Sequence, residues 1–238
     1  LRTVEMYDPA LDKWTQKADL PTPLAMHTAC EVNGKIYVIG GLFNQVSRAA
    51  IPQVLEYDPV ADTWTRKADM PTARFHHSAC VVDGKIYVIG GVDRIGGSVL
   101  SSVEAYDPAT DTWTKRADMP TPRWVDTAAV INGMIYAFGG GVSAIESEWF
   151  PSAITKVEQY DPVTDVWTTA PEMPSPRGEF GLTVWEGKVY AFGGGIGLDG
   201  NKILSTVEVF EPEPSPDATA VTPAGKLPTT WGEVKAAR

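Results

Sequence analysis

The chain has 238 residues, 43% of them apolar, and a formal net charge of −10. That is enough apolar material for a large core, which repeats can share between neighbours. The acidic balance, with no Lys/Arg cluster, argues against nucleic acid and anionic membrane surfaces, since both select dense positive charge, and no apolar run approaches the roughly 20 residues that span a bilayer.

The chain opens in mid-pattern at Leu1-Arg2-Thr3, not at Met. An upstream piece, with any signal peptide, is expected to have been removed. The compartment is therefore open between a bacterial extracytoplasmic location and the cytoplasm. Strand-like segments follow at once. Val4-Glu5-Met6-Tyr7 ends at Asp8-Pro9, where proline cannot continue a ladder. A short strand around Trp14 comes next. Then an apolar pair of strands, joined by a tight turn, closes on Gly40-Gly41.

The same order recurs three more times and a fifth time in part. Its fullest copy runs from Val103-Glu104-Ala105-Tyr106-Asp107-Pro108 through Asp111-Thr112-Trp113-Thr114 and Met119-Pro120-Thr121-Pro122-Arg123 to Gly139-Gly140. The anchoring tryptophans are Trp14, Trp64, Trp113 and Trp167, so successive steps are 50, 49 and 54 residues. A period near ~50 is that of propeller blades. One repeat reads as four strands: a, His77–Val82; a tight turn at Asp83-Gly84; b, Lys85–Gly91; c, Val103–Tyr106; d, Asp111–Thr114. Gly after Asn or Asp gives the positive φ that such hairpins need. The b strands are almost continuously apolar, as expected of strands covered on both faces. No convincing helix interrupts the array, which is therefore all-β and radial.

Most recurring residues have structural readings. The double glycines allow close packing where a Cβ would not fit. The tryptophans fill the wedge between blades. Glu5, Glu56, Glu104, Glu158 and Glu208 recur once per blade, as do Arg74, Arg123 and Arg177, and an acid–base pairing between blades is expected. Cys30 and Cys80 hold equivalent places and read as small buried residues rather than a disulfide.

Between residue 4 and about residue 211, these motifs resemble the kelch family, similar to bacterial-type kelch proteins and kelch adaptor domains. The resemblance implies a kelch β-propeller of four-stranded antiparallel blades, usually six, in a family made up mostly of protein-interaction modules. Some members, a copper radical oxidase and a sialic-acid mutarotase, are enzymes. Here four a–b pairs are present, and the first repeat has Pro21-Thr22-Pro23-Leu24 where the others carry Arg. The N-terminal c–d strands could complete the last blade. A longer propeller, or chains completing each other as a homo-oligomer, is the preferred expectation. Residues 1–211 are read as the propeller and 212–238 as a Pro-rich linker and tail, in which Trp231 could supply a late d strand.

Function is expected on the loop face. The long b–c loops contribute Asn44, Arg48, Asp93, Arg94 and the aromatic pair Trp149-Phe150, a candidate hot spot. Turns from d into the next a strand add Met26, His76, Val125 and Glu179, with Phe75, Arg123 and Trp124 close by. Such a bowl suits an acidic peptide, another protein, a glycan or a sugar acid. The main reading is a non-enzymatic binding module without metal or cofactor. With only His27, His76 and His77, a copper site is poorly supported, and no Gly-x-Ser-x-Gly elbow is present. A sugar-acid mutarotase, using Glu179 with Arg123 or His76 as its acid–base pair, and an adhesive repeat of a bacterial surface protein are the alternatives.

Overall fold

A computed structural model of the chain describes residues 1–43, 49–124, 127–142, 153–196, 202–212 and 231–233. It opens with a two-stranded sheet, β1 (Val4–Asp8) and β2 (Lys13–Lys17). The first blade is β3 (Thr28–Val32), β4 (Lys35–Ile39), β5 (Val54–Asp58) and β6 (Thr63–Lys67). The second is β7 (Ser78–Val82), β8 (Lys85–Ile89), β9 (Val103–Asp107) and β10 (Thr112–Arg116). The third is β11 (Ala128–Ile131), β12 (Met134–Phe138), β13 (Val157–Asp161) and β14 (Val166–Ala170).

The fourth blade begins with β15 (Gly181–Trp185) and β16 (Lys188–Phe192). A small ribbon of β17 (Gly195–Ile196) and β18 (Lys202–Ile203) follows, and then β19 (Val207–Phe210) and β20 (Trp231–Glu233) complete the blade. Every pairing is antiparallel, and each blade is a meander. The expected architecture of four-stranded blades holds, with strand limits shifted by one or two residues. The last blade takes its d strand from Trp231, where Phe210 pairs with Trp231 in the register that pairs Tyr57 with Trp64. The N-terminal pair stays a separate sheet.

Strand order follows from turn chemistry. The a–b turns place Asn33-Gly34, Asp83-Gly84 and Asn132-Gly133 with positive φ at both residues, the geometry that matches strand twist in two-residue hairpins. Innermost strands pack in series, β3 on β7, β7 on β11 and β11 on β15. Between blades lie apolar layers such as Tyr37, Ile39, Met70, Ile86 and Tyr106. Cys30 and Cys80 are free thiols. Burial pushes both up to about 12, which keeps them protonated and unreactive at neutral pH.

A recurrent clamp joins successive blades. Trp64, Trp113 and Trp167 donate their indole N–H to the carbonyls of Ala18, Ala68 and Ala117, each at 2.9 Å. The amides of the same three alanines donate to Asp62, Asp111 and Asp165. Each aspartate also accepts from the tyrosine of its own blade, as Tyr106 to Asp111 at 2.6 Å. These bonds hold the carboxyls below the ordinary range: the Ala18 amide and then the Tyr57 hydroxyl for Asp62, the Tyr106 hydroxyl and then the Ala68 amide for Asp111. Trp14 belongs to the first, two-stranded sheet and is 63% exposed.

Candidate partner-binding rim

The buried arginines set the shape of one rim. Arg74 donates to Glu104 at 3.0 Å and to the carbonyls of Gly90 and Ser102. Arg123 donates to Glu158, and Arg177 pairs with Glu208 at 2.8 Å. All three guanidinium groups are fully buried. Burial draws Arg74 and Arg123 below the usual arginine range, and the partner glutamates oppose it. Each pair lies within one blade rather than between two. The arginine comes from the turn entering strand a, and the glutamate sits on strand c.

Register also corrects which glutamates recur. Val88 faces Glu104, Ala137 faces Glu158 and Ala191 faces Glu208, but Val38 faces Leu55. Glu56 lies one residue on, where it accepts from the Tyr37 hydroxyl and pairs with Lys67. In the first blade both charges are replaced together, by buried Leu24 and Leu55 in one apolar cluster. The missing arginine was visible in the sequence. The matching loss of its acid was not, because a neighbouring glutamate masked it.

The double glycines bind each blade to the next arginine turn. Gly41, Gly91 and Gly140 donate their amides to the carbonyls of Arg74, Arg123 and Arg177. A Cβ on Gly40 or Gly139 would lie 2.6 or 2.5 Å from the next arginine carbonyl. This close approach accounts for glycine there without a phosphate role.

Beyond each arginine, and beyond Leu24 in the first blade, the chain folds back on the b–c loop, through the bridges Ala25–Leu42, Phe75–Val92, Trp124–Gly141 and Gly178–Gly195. This turns Phe75 and Trp124 inward. They are 1% and 3% exposed and pack with Leu42, Ala50 and Val92. The Trp124 indole covers Gly141 and Gly178, where a Cβ would come within 2.4 and 2.6 Å of it. Phe75, Arg123 and Trp124 therefore support the rim from beneath and offer no open contact area.

In three of these turns the next residue is left-handed and not glycine: Met26 at φ 56°, His76 at 49° and Glu179 at 48°. Such backbone persists where surrounding bonds over-determine it, and the His76 amide donates to the Met26 carbonyl at 3.3 Å. Met26 and Glu179 are exposed, and the His76 ring lies against Phe75 and Trp124. The structure thus brings Met26, His76 and Glu179 to equivalent places on one rim. Asp93 and Arg94 join them, since the Ala50 amide donates to the Asp93 carbonyl and Ala49 bridges Arg94. Asn44, Arg48, Val125, Trp149 and Phe150 lie outside the described residues.

Just inside the rim, the His77 imidazole is buried. Burial, with Arg74 and neighbouring His27 and His76, holds it down to about 3. The folded state therefore binds fewer protons than the unfolded chain between about pH 6.5 and 3, and stability falls as pH drops through that window. Phe180 occupies the equivalent, buried place in the fourth blade. His77→Phe is expected to remove about 1.4 kcal/mol of pH dependence per unit there. Urea unfolding at pH 7 and pH 5 measures this, and an unchanged pH slope would contradict it.

Among the described residues no group of His, Cys, Asp and Glu could hold a metal ion, and no helix is long and apolar enough to cross a membrane. Among solved structures, that of YjhT is similar, with a TM-score of 0.64 at 20% identity, covering 76% of this chain and 63% of YjhT; it bears on the fold alone. Beta-scruin of Limulus polyphemus is 48% identical over 42 residues, 18% of this chain and 5% of that protein. Kelch-like protein 35 of Homo sapiens is 39% identical over 71 residues, 30% of this chain and 12% of that protein. The chain thus matches only a small part of the length of these curated relatives. Residues 176–213 match the Kelch motif, and residues 2–194 match the KLHDC2/KLHL20/DRC7 Kelch-repeats domain. With most of its length matched in this way, and with blades built as that pattern requires, the chain belongs to the kelch-repeat family.

Proposed function

We propose that the chain is a non-enzymatic protein-binding module whose contact surface is the rim of Met26, His76, Glu179, Asp93 and Arg94. Protein binding is typical of the family. The observation that carries the reading is the set of three left-handed, non-glycine residues at one repeated position. Glycine, asparagine and aspartate hold most other left-handed places in the chain, the a–b turns among them, and none of these three stands at this position. Instead the position presents a thioether, an imidazole and a carboxylate, a heterogeneous set suited to an asymmetric partner and not to a symmetric ring of ligands. Asn44, Arg48, Trp149 and Phe150 belong to loops of the same edge by sequence and extend the proposed surface.

Photo-crosslinking residues placed at Met26 and Arg94 should capture a common protein from a lysate of the source cells. One placed at Val60, in a c–d turn at the opposite end of its blade, should not. Met26→Gly and His76→Gly keep the backbone geometry and remove the side chains. They are expected to reduce capture at Arg94 at least tenfold while leaving the melting temperature within a few degrees. Equal capture from Val60, or none from the rim, would remove this reading. A sugar-acid mutarotase on the same scaffold predicts exchange of sialic-acid anomers by NMR, which a binding module lacks.

A further inference from the structure

His77 and Phe180 hold the same place, three residues after Arg74 and Arg177, and their rings occupy the same kind of seat. A Cβ on Gly40 would meet the Arg74 carbonyl at 2.6 Å, the His77 Cε1 at 2.7 Å and the Met70 methyl at 3.0 Å. One on Gly139 would meet the Arg177 carbonyl at 2.5 Å, the Met173 methyl at 2.7 Å and the Phe180 Cε1 at 3.3 Å. Each seat thus lies between a methionine methyl and the first of the paired glycines of the preceding blade, and it suits a flat apolar ring. In the fourth blade the ring is a hydrocarbon. In the second it is an imidazole, 4% exposed. Neither ring nitrogen makes a hydrogen bond of good geometry, and the Ile39 backbone is the one group that favours a proton there.

The charged and titratable groups that act on this ring are all basic. They are Arg74 of its own turn, His76 beside it, and His27 at the equivalent place of the first blade. The three histidines of the chain are therefore gathered at one junction. From the first blade, β4 and its glycine pair bring no charge, and Met70 is uncharged. The Glu104 carboxylate is committed to Arg74 and Thr72. An imidazolium in this seat would have neither an anion nor water around it, which is costly. Burial first, and then these basic neighbours, account for its low pKa.

We propose that His77 is an acid-operated release for the junction between the first two blades: on protonation the imidazole leaves its seat, and the hydrogen bonds from Gly41 to the Arg74 carbonyl and from His76 to the Met26 carbonyl part with it. Both bonds join backbone of the first blade to the turn that carries His77. Out of its seat the imidazole titrates near its ordinary value of 6.5, so the open form binds a proton that the closed form rejects. Opening is then favoured by about tenfold per unit as the pH falls from about 6.5 towards 3. The seat of Phe180 holds no titratable ring and stays closed. Opening also parts Met26 from His76, so acid loosens a partner's hold on the rim. That consequence rests on the binding reading above; the opening itself does not.

Amide hydrogen exchange of the full chain, resolved by NMR and corrected for intrinsic rates, reads the opening directly. Between pH 6 and pH 4 the Gly41 amide is expected to lose more than about tenfold in protection relative to that of Gly140, which bonds to the Arg177 carbonyl beside Phe180. His77→Phe should abolish the difference. Phe180→His should transfer the acid sensitivity to Gly140, so the test does not hang on one variant folding. Equal pH dependence at Gly41 and Gly140 in the unaltered chain would overturn the proposal, as would a difference that survives His77→Phe. So would a His77 ring that titrates near its ordinary value with Gly41 still protected, because the imidazolium would then be stable in its seat.

Discussion

Arg123→Leu is expected to destabilise the chain by about 3–5 kcal/mol, while Arg123→Leu combined with Glu158→Leu recovers more than half of that loss. The single change leaves a carboxylate that is 2% exposed without its paired guanidinium, and an uncompensated buried charge is among the most costly defects in a protein interior. The hydrogen bond from Thr121 at 2.7 Å does not replace the guanidinium. Removing both charges deletes the desolvation cost as well as the attraction, which is why apolar replacement of a whole pair is often neutral. The chain already carries such a replacement at Leu24 and Leu55. Urea unfolding with a common slope gives the comparison. If the double variant is as unstable as the sum of the two single ones, the pair is not a closed electrostatic unit.

Gly40→Ala is expected to cost more than about 3 kcal/mol, and Gly34→Ala only about 1 kcal/mol. Both glycines have positive φ, 63° and 76°, so the backbone penalty is shared. They differ in surroundings. A Cβ at Gly40 would meet the Arg74 carbonyl at 2.6 Å, the His77 ring at 2.7 Å and the Met70 methyl at 3.0 Å, while at Gly34 nothing lies within 4 Å. The first neighbour is backbone of the next blade and cannot yield without moving the arginine turn. Calorimetric melting of the two variants separates strain from collision. Equal losses would show that the blades do not approach each other as closely as described.

The strands and their order were legible in the sequence because period, turn residues and proline stops agree at every repeat. What failed was inference from residue type without register. Glu56 looked like Glu104 by proximity to a valine and a tyrosine, and only the pairing of Val38 with Leu55 separates them. Phe75 and Trp124 looked like surface aromatics because they follow turn residues. Their burial depends on bridges to Val92 and Gly141, 17 residues on in each case, which no local pattern displays. The Trp–Ala–Asp clamp was present in the spacing throughout, but it joins residues 43 to 50 positions apart, such as Ala68 with Asp111 and Ala117 with Trp167. The left-handed residues of the rim carried a partial signal, since Met26, His76 and Glu179 hold one repeated place, yet nothing local shows that their backbone is left-handed.

The clamp has a direction. Each blade grips the alanine at the end of the one before it, so a blade is locked only when its successor exists. A chain emerging from the ribosome would secure its blades one behind the growing point, like a zip that closes a tooth late. At the last junction two parts change together: Pro171 replaces the alanine and has no amide hydrogen, and Phe210 replaces the tyrosine and has no hydroxyl. The final blade, whose outer strand is reached through 20 intervening residues, is therefore built without two of the three hydrogen-bond donors that the earlier clamps share.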